Sequence, residues 1–171
     1  MQVSAIPAFE DNYIWLITEA GSRSCVVVDP GDEEPVLSKL EALGLELSAI
    51  LITHNHYDHV GGVAGLKARF PAAVVFGPGN EGIRQIDNVV TADDRVKLPG
   101  LAIELQVLSV PGHTEGHIAY YGDGCLFCGD TLFLGGCGRV FTGTFEQLSV
   151  SLAKISQLPP ETKIYCAHEY T

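Results

Sequence analysis

Three histidines and an aspartate fall within one seven-residue run, Thr53-His54-Asn55-His56-Tyr57-Asp58-His59, in a chain that contains six histidines in all. A hydrophobic core has little use for such a run, because a buried polar group is costly unless it is hydrogen-bonded or coordinated. Metal coordination uses all four side chains. Imidazole nitrogen and carboxylate oxygen suit zinc and comparable first-row divalent ions, and with no thiolate in the run zinc, iron and manganese all stay open. In an extended or turning segment, residues two apart point to the same side, so His54 and His56 can grip one ion. Asp58 and His59 lie beyond, at the expected start of a helix, where a second ion would meet them. The spacing is not the His-Glu-x-x-His of zinc proteases, which is absent.

Four ligands cannot enclose two ions, and the remaining sequence offers three more in comparable positions. His113 follows the strand expected to end at Val110, Asp130 the one ending at Cys128, and His168 the one ending at Cys166. Each stands just past a strand end, where loops above a sheet converge on one cleft. Taken singly, Asp130 or His168 reads as a cap or turn residue. The joint pattern favours ligation, with seven candidates: His54, His56, Asp58, His59, His113, Asp130 and His168. A purely structural metal site is the rival, but such sites tend to be closed, four-coordinate and often cysteine-rich. His117 is left without a ligand role and reads as structural, behind the ligands. There is no Gly-x-Ser-x-Gly elbow and no Gly-x-x-x-x-Gly-Lys-Ser/Thr loop. Gly135-Gly136-Cys137-Gly138 reads as a tight backbone bend.

Around these residues the pattern is α/β. Tyr13–Thr18 and Cys25–Val28 read as an antiparallel pair of strands. A helix follows, with Pro35 near its start and Gly44 as its stop. Ala49–Ile52 is a buried strand and Val60–Phe70 a helix ended by Pro71. Ala102–Val110 alternates like a half-exposed strand. His117–Tyr121 and Cys125–Cys128 form a hairpin about Gly122-Asp123-Gly124. Thr144 with Gln147 makes a capping box for a helix, and Lys163–Ala167 is a last strand. Mixed rather than purely parallel sheets are expected in one continuous domain.

The formal charge of -11, from 21 acidic and 10 basic residues, excludes nucleic acid and anionic membrane as partners, since both need clustered Lys and Arg. No apolar run approaches the roughly 20 residues that span a bilayer, and the N-terminus lacks the features of a signal peptide. Five cysteines fit a reducing, cytoplasmic setting, with Cys125 and Cys128 expected as buried strand thiols rather than a redox or zinc motif. A monomer acting on a small molecule is the simplest reading.

The Thr-His-x-His-x-Asp-His run, followed in order by His113, Gly129-Asp130 and His168, resembles the metallo-β-lactamase superfamily. Within it the chain is similar to bacterial glyoxalase II, the hydroxyacylglutathione hydrolases. The segments carrying that closer match are Ile6-Pro7-Ala8-Phe9, Asp11-Asn12-Tyr13-Ile14-Trp15, Val28-Asp29-Pro30-Gly31-Asp32, Phe127-Cys128-Gly129-Asp130-Thr131-Leu132-Phe133, Gly135-Gly136-Cys137-Gly138-Arg139 and Cys166-Ala167-His168-Glu169-Tyr170-Thr171. The resemblance implies a four-layer αββα sandwich with two mixed sheets and two divalent ions, zinc first and iron or manganese as alternatives, at one edge. It assigns His54, His56 and His113 to one ion, Asp58, His59 and His168 to the other, and Asp130 as the bridge. Asp58 and Asp130 are then the catalytic carboxylates, with Asp58 orienting the water.

The activity implied is hydrolysis of the thioester of S-(2-hydroxyacyl)glutathione, such as S-D-lactoylglutathione, by a metal-bridging hydroxide, in methylglyoxal detoxification. Arg139, Phe141 and Tyr170 fall where relatives contact glutathione, Phe141 standing where some carry Tyr. Relatives continue into a helical region that helps hold glutathione. Residues 1–171 are thus read as the catalytic domain, without that region. The alternatives are a hydrolase of the same fold acting on a lactone, another thioester or a phosphodiester, and a non-hydrolytic redox metalloprotein. His59 stands where redox relatives commonly depart from the hydrolase motif, which favours hydrolysis.

Overall fold

A computed structural model describes Met1 to Thr171. Its first sheet orders six strands as β1 (Gln2–Ala8), β2 (Asn12–Thr18), β3 (Ser24–Val28), β4 (Glu46–Leu51), β5 (Val74–Pro78) and β6 (Asn88–Val90). The first three pair antiparallel, and β3 to β6 run parallel. The second sheet orders β13 (Lys163–Cys166), β10 (Cys125–Gly129), β9 (Ile118–Gly122), β8 (Glu104–Ser109) and β7 (Arg95–Lys97). In it β10 and β13 are parallel and the other pairs antiparallel. Both sheets are therefore mixed, as expected.

Strand periodicity of two decides the layers. Val26, Val28, Ala49 and Leu51 point into an apolar layer shared with Leu105, Val107, Tyr120 and Phe127 of the second sheet. Their neighbours Cys25, Val27, Ile50 and Ile52 point the other way, onto Val36 and Leu40 of helix α1 (Glu33–Leu43) and Val63 and Leu66 of helix α3 (Val63–Arg69). On the far side, Leu126, Cys128 and Ala119 meet Ile155 of helix α4 (Phe145–Ser156). Helix, sheet, sheet and helix follow in that order, which is the αββα sandwich. Phe127 is fully buried in the inter-sheet layer, so Phe127→Ala is expected to cost about 3–5 kcal/mol by leaving a cavity. Urea unfolding measures it, and a loss below about 1 kcal/mol would contradict this packing.

Cys125 faces the inter-sheet layer and Cys128 the layer under α4. Three residues apart on one strand, they lie on opposite faces, and all five cysteines are free. The β9–β10 hairpin turns on Asp123 (φ 50) and Gly124 (φ 70), left-handed at both positions as a two-residue turn requires. The capping box forms, with the Gln147 amide N–H donating to Thr144 Oγ1 at 3.1 Å and the Thr144 amide N–H donating to Gln147 Oε1 at 2.8 Å. Leu134 and Gly135 (φ 83) turn a short hairpin between β11 (Leu132–Phe133) and β12 (Gly136–Cys137), so of the expected Gly135–Gly138 bend Gly135 lies in the turn and Gly136 and Cys137 are paired strand.

Two expectations change. The helix expected over Val60–Phe70 is two helices, α2 (Tyr57–Val60) and α3, broken at Gly61-Gly62. The break follows from close packing on the loop after β3: the Gly62 amide donates to the Pro30 carbonyl at 2.9 Å, and a Cβ on Gly62 would sit 2.6 Å from the Asp32 carbonyl carbon. Strands β1, β5, β6 and β7 were not expected. The first carries Pro7, tolerated because β1 is an edge strand, and the last two are three residues each, too short for a periodic signal.

Candidate metal centre

The carboxyl ends of β4, β8, β10 and β13 deliver the seven candidates to one edge of the sandwich. Thr53–His56 extends from β4, and α2 turns Asp58 and His59 back toward it. His113 lies in the β8–β9 loop, Asp130 just beyond β10 and His168 just beyond β13.

Their inward atoms form two converging sets. In the first, His56 Nδ1 lies 3.1 Å from His54 Nε2 and 3.0 Å from His113 Nε2, and His113 Nε2 lies 3.3 Å from Asp130 Oδ2. In the second, Asp58 Oδ2 is 3.3 Å from both His59 Nε2 and His168 Nε2. Asp130 belongs to both, with Oδ2 3.3 Å from His168 Nε2 and Oδ1 3.3 Å from His59 Nε2. A tetrahedral zinc ion with ligand arms of about 2.0–2.1 Å has ligand-to-ligand edges of about 3.3 Å. The cluster has that spacing.

At His54, His59, His113 and His168 the inward Nε2 is free because the other ring nitrogen is engaged. Thr53 Oγ1 donates to Asp29 Oδ2 at 2.7 Å and so accepts from His54 Nδ1 at 3.0 Å. His113 Nδ1 donates to the Arg139 carbonyl at 2.6 Å, His59 Nδ1 to Asp29 Oδ2 at 3.0 Å, and His168 Nδ1 to Asp11 Oδ1 at 2.8 Å. These outer bonds fix tautomer and ring orientation, leaving Nε2 as the free donor atom. Asp29 also accepts from the Thr53 amide at 2.8 Å, so both its oxygens are occupied and it orients ligands rather than joining them. Asn12 Nδ2 donates to Asp58 Oδ2 at 2.9 Å. His117 stacks on His54 at 4.6 Å and its Nε2 accepts from the Asp130 amide, the supporting position expected for it.

Two buried atoms, His59 Nε2 and Asp130 Oδ1, have no hydrogen-bond partner despite their proximity. An orphaned buried donor or acceptor costs on the order of 1–3 kcal/mol, and a cation between them satisfies both. The residues present therefore fit a divalent metal site.

Charge tells the same story. Burial alone would raise Asp58 and Asp130, yet the His168 and His59 imidazoles outweigh it and hold both carboxyls well below the usual carboxylate range. Burial would lower His168, but Asp130 and Asp58 push it up to about 10, and Asp29 with the other carboxylates likewise raises His59 well above its ordinary value. Burial dominates at His54, which is lowered far, and at His117, lowered to about 3. Without metal, protons on His59 and His168 balance the two carboxylates.

The three expected substrate contacts flank the cluster. The Phe141 ring meets His56 edge-on at 5.0 Å and His113 at 5.2 Å, with the Arg139 guanidinium 5.4 Å above it. Tyr170 stacks on His168 at 5.0 Å and is 58% exposed. Asp11, Asn12 and Asp29 were not selected as site residues from the sequence. Their only signal was that they lie in the segments carrying the family likeness.

A family model described as the metallo-beta-lactamase superfamily matches residues 8–168. The hydroxyacylglutathione hydrolase of Photobacterium profundum is 57% identical over all 171 residues, and the chain covers 67% of that protein. The chain thus spans about two thirds of that relative's length. Among solved structures, ETHE1 from Myxococcus xanthus superposes with a TM-score of 0.89 at 32% identity, covering all of this chain and 77% of that one. TTHA1623, solved in a di-iron-bound form, superposes with a TM-score of 0.79 at 29% identity over 99% of this chain and 92% of its own.

Proposed function

The chain belongs to the metallo-β-lactamase superfamily, in its hydroxyacylglutathione hydrolase branch, and on that premise we propose that it hydrolyses S-(2-hydroxyacyl)glutathione to a 2-hydroxy acid and glutathione. The observation that carries the reading is identity of 54–57% along essentially the whole chain with several proteins of that name, joined to an intact seven-ligand cluster. His54, His56 and His113 would hold one cation, Asp58, His59 and His168 a second, with Asp130 reaching both. Zinc fits this nitrogen and oxygen set, with iron and manganese as alternatives; TTHA1623 is a relative with two irons.

Bound divalent cations lower the pKa of water toward 7 and polarise a carbonyl oxygen, so they supply the nucleophile and the electrophile. The chain's own groups do the rest. Asp58, kept ionised and fixed by Asn12, orients the attacking water through its O–H. Once that water has given up a proton to solvent, attack of the resulting hydroxide on the thioester carbon and cleavage of the C–S bond give a carboxylic acid and a glutathione thiolate, and the acid then loses its proton to the thiolate or to solvent. A thiol of pKa about 8.5 leaves without a strong general acid, which accords with a cluster whose remaining histidine, His117, is buried and neutral. Arg139 offers charge-assisted hydrogen bonds to a glutathione carboxylate, and Phe141 and Tyr170 offer exposed ring faces to its backbone. The five free cysteines accord with a cytoplasmic location.

Metal analysis coupled to an S-D-lactoylglutathione assay on this chain tests the reading. Two cations per chain and thiol release that stops on chelation are expected. Two cations with no thioester turnover, but cleavage of a lactone or phosphodiester in parallel wells, would overturn the substrate assignment.

A further inference from the structure

Glu81 lies in the turn after β5, remote in sequence from every ligand, and is only 7% exposed. Carboxylates are almost never buried to this degree unless paired. Its partners are backbone. Oε2 accepts from the Asn55 amide at 3.0 Å and Oε1 from the Gly116 amide at 2.7 Å, while the Glu81 carbonyl accepts from Asn55 Nδ2 at 2.9 Å. Asn55 stands between His54 and His56, and Gly116 belongs to the loop that carries His113. One carboxylate thus joins the two loops whose rings meet at 3.0 Å, His113 Nε2 against His56 Nδ1. Gly116 allows the approach, since a Cβ there would lie 2.6 Å from Glu81 Oε1 as well as against the neighbouring Asn80 side chain.

We propose that Glu81 is a positioning residue that sets the separation of the two loops carrying His54, His56 and His113, and thereby the cation affinity of that half of the centre. Hydrogen bonds from backbone N–H to a carboxylate are charge-assisted and stronger than neutral ones, so the clamp is stiff where a loop-to-loop distance must be held. The other half, Asp58, His59 and His168, is tied by Asn12, Asp29 and Asp11 instead. Removing the clamp therefore acts on one half only. This rests on the metal centre proposed above.

The test is cobalt(II) titration of the metal-stripped chain against a competing chelator, followed by the visible ligand-field bands. The parent chain should take up two ions. In Glu81→Gln, an amide NH2 must face one of the two backbone N–H groups, and one binding step should weaken by about 10–100-fold while the other keeps its affinity. Gly116→Ala crowds the same carboxylate, together with the Asn80 side chain, from the other loop and should reproduce the selective loss, so it carries the test should Glu81→Gln fail to fold. Equal weakening of both steps, unchanged affinities in either folded variant, or failure of both variants to fold would overturn the inference and make Glu81 mere structural support. A parent chain that binds no cation would instead overturn the metal centre itself.

Discussion

Replacing Asp130 by Asn is expected to lower thioester turnover by at least about 10²–10³-fold, in the range seen when one electrostatic stabiliser of a transition state is removed, and to empty the centre of metal. Asp130 is the one candidate whose oxygens lie 3.3 Å from ligands of both halves, His113 on one side and His59 and His168 on the other. Asn keeps the shape and the backbone bond to His117 but removes the charge that both cations would share on the proposed assignment. It also leaves His59 and His168 facing each other with one carboxylate fewer to balance them. Metal analysis and kinetics on the same preparation measure both losses. Normal turnover with two cations bound would refute the bridging role.

The second large effect is on pH. His168, raised to about 10, and His59, raised well above its ordinary value, both carry protons at neutral pH in the metal-free chain, and ligation requires their removal. Loading both cations should therefore release about two protons, and the overall affinity should fall about 100-fold for each unit of pH lost between 8 and 6, a tenfold loss per proton. Calorimetry in buffers of different ionisation enthalpy counts the protons, and an affinity independent of pH would contradict the assignment. The same histidine has a signature in the metal-free fold. Its folded value lies above the ordinary 6.5, so its contribution to stability is fully present below pH 6.5 and is lost as pH rises through about 10. Metal-free protein should melt at lower temperature at pH 9 than at pH 6 on this account.

The seven residues that the structure gathers at one edge were legible in the sequence because their signals are local. His54, His56, Asp58 and His59 announce themselves by spacing, and His113, Asp130 and His168 by each following an apolar strand. The groups that hold them are silent because their bonds are tertiary. Asp11 and His168 are 157 residues apart, Asn12 and Asp58 are 46 apart, and Asp29 and His59 are 30 apart. Glu81 gave no signal at all, being one carboxylate in a polar turn after a strand that was itself unexpected. The break at Gly61-Gly62 escaped for a similar reason: apolar periodicity continues across it, and only packing against Pro30 and Asp32 interrupts the helix.

The Asp11–His168 bond also sets a timetable for synthesis. The tip of the first hairpin and the run from His54 to His59 are made early, but His168 leaves the ribosome more than a hundred residues after that run. Until then Asp58 and His59 lack His168 and Asp11 lacks the imidazole it holds. A nascent chain can gather His54 and His56 without completing either half, so on the proposed assignment secure metal loading waits until His168 has emerged and docked.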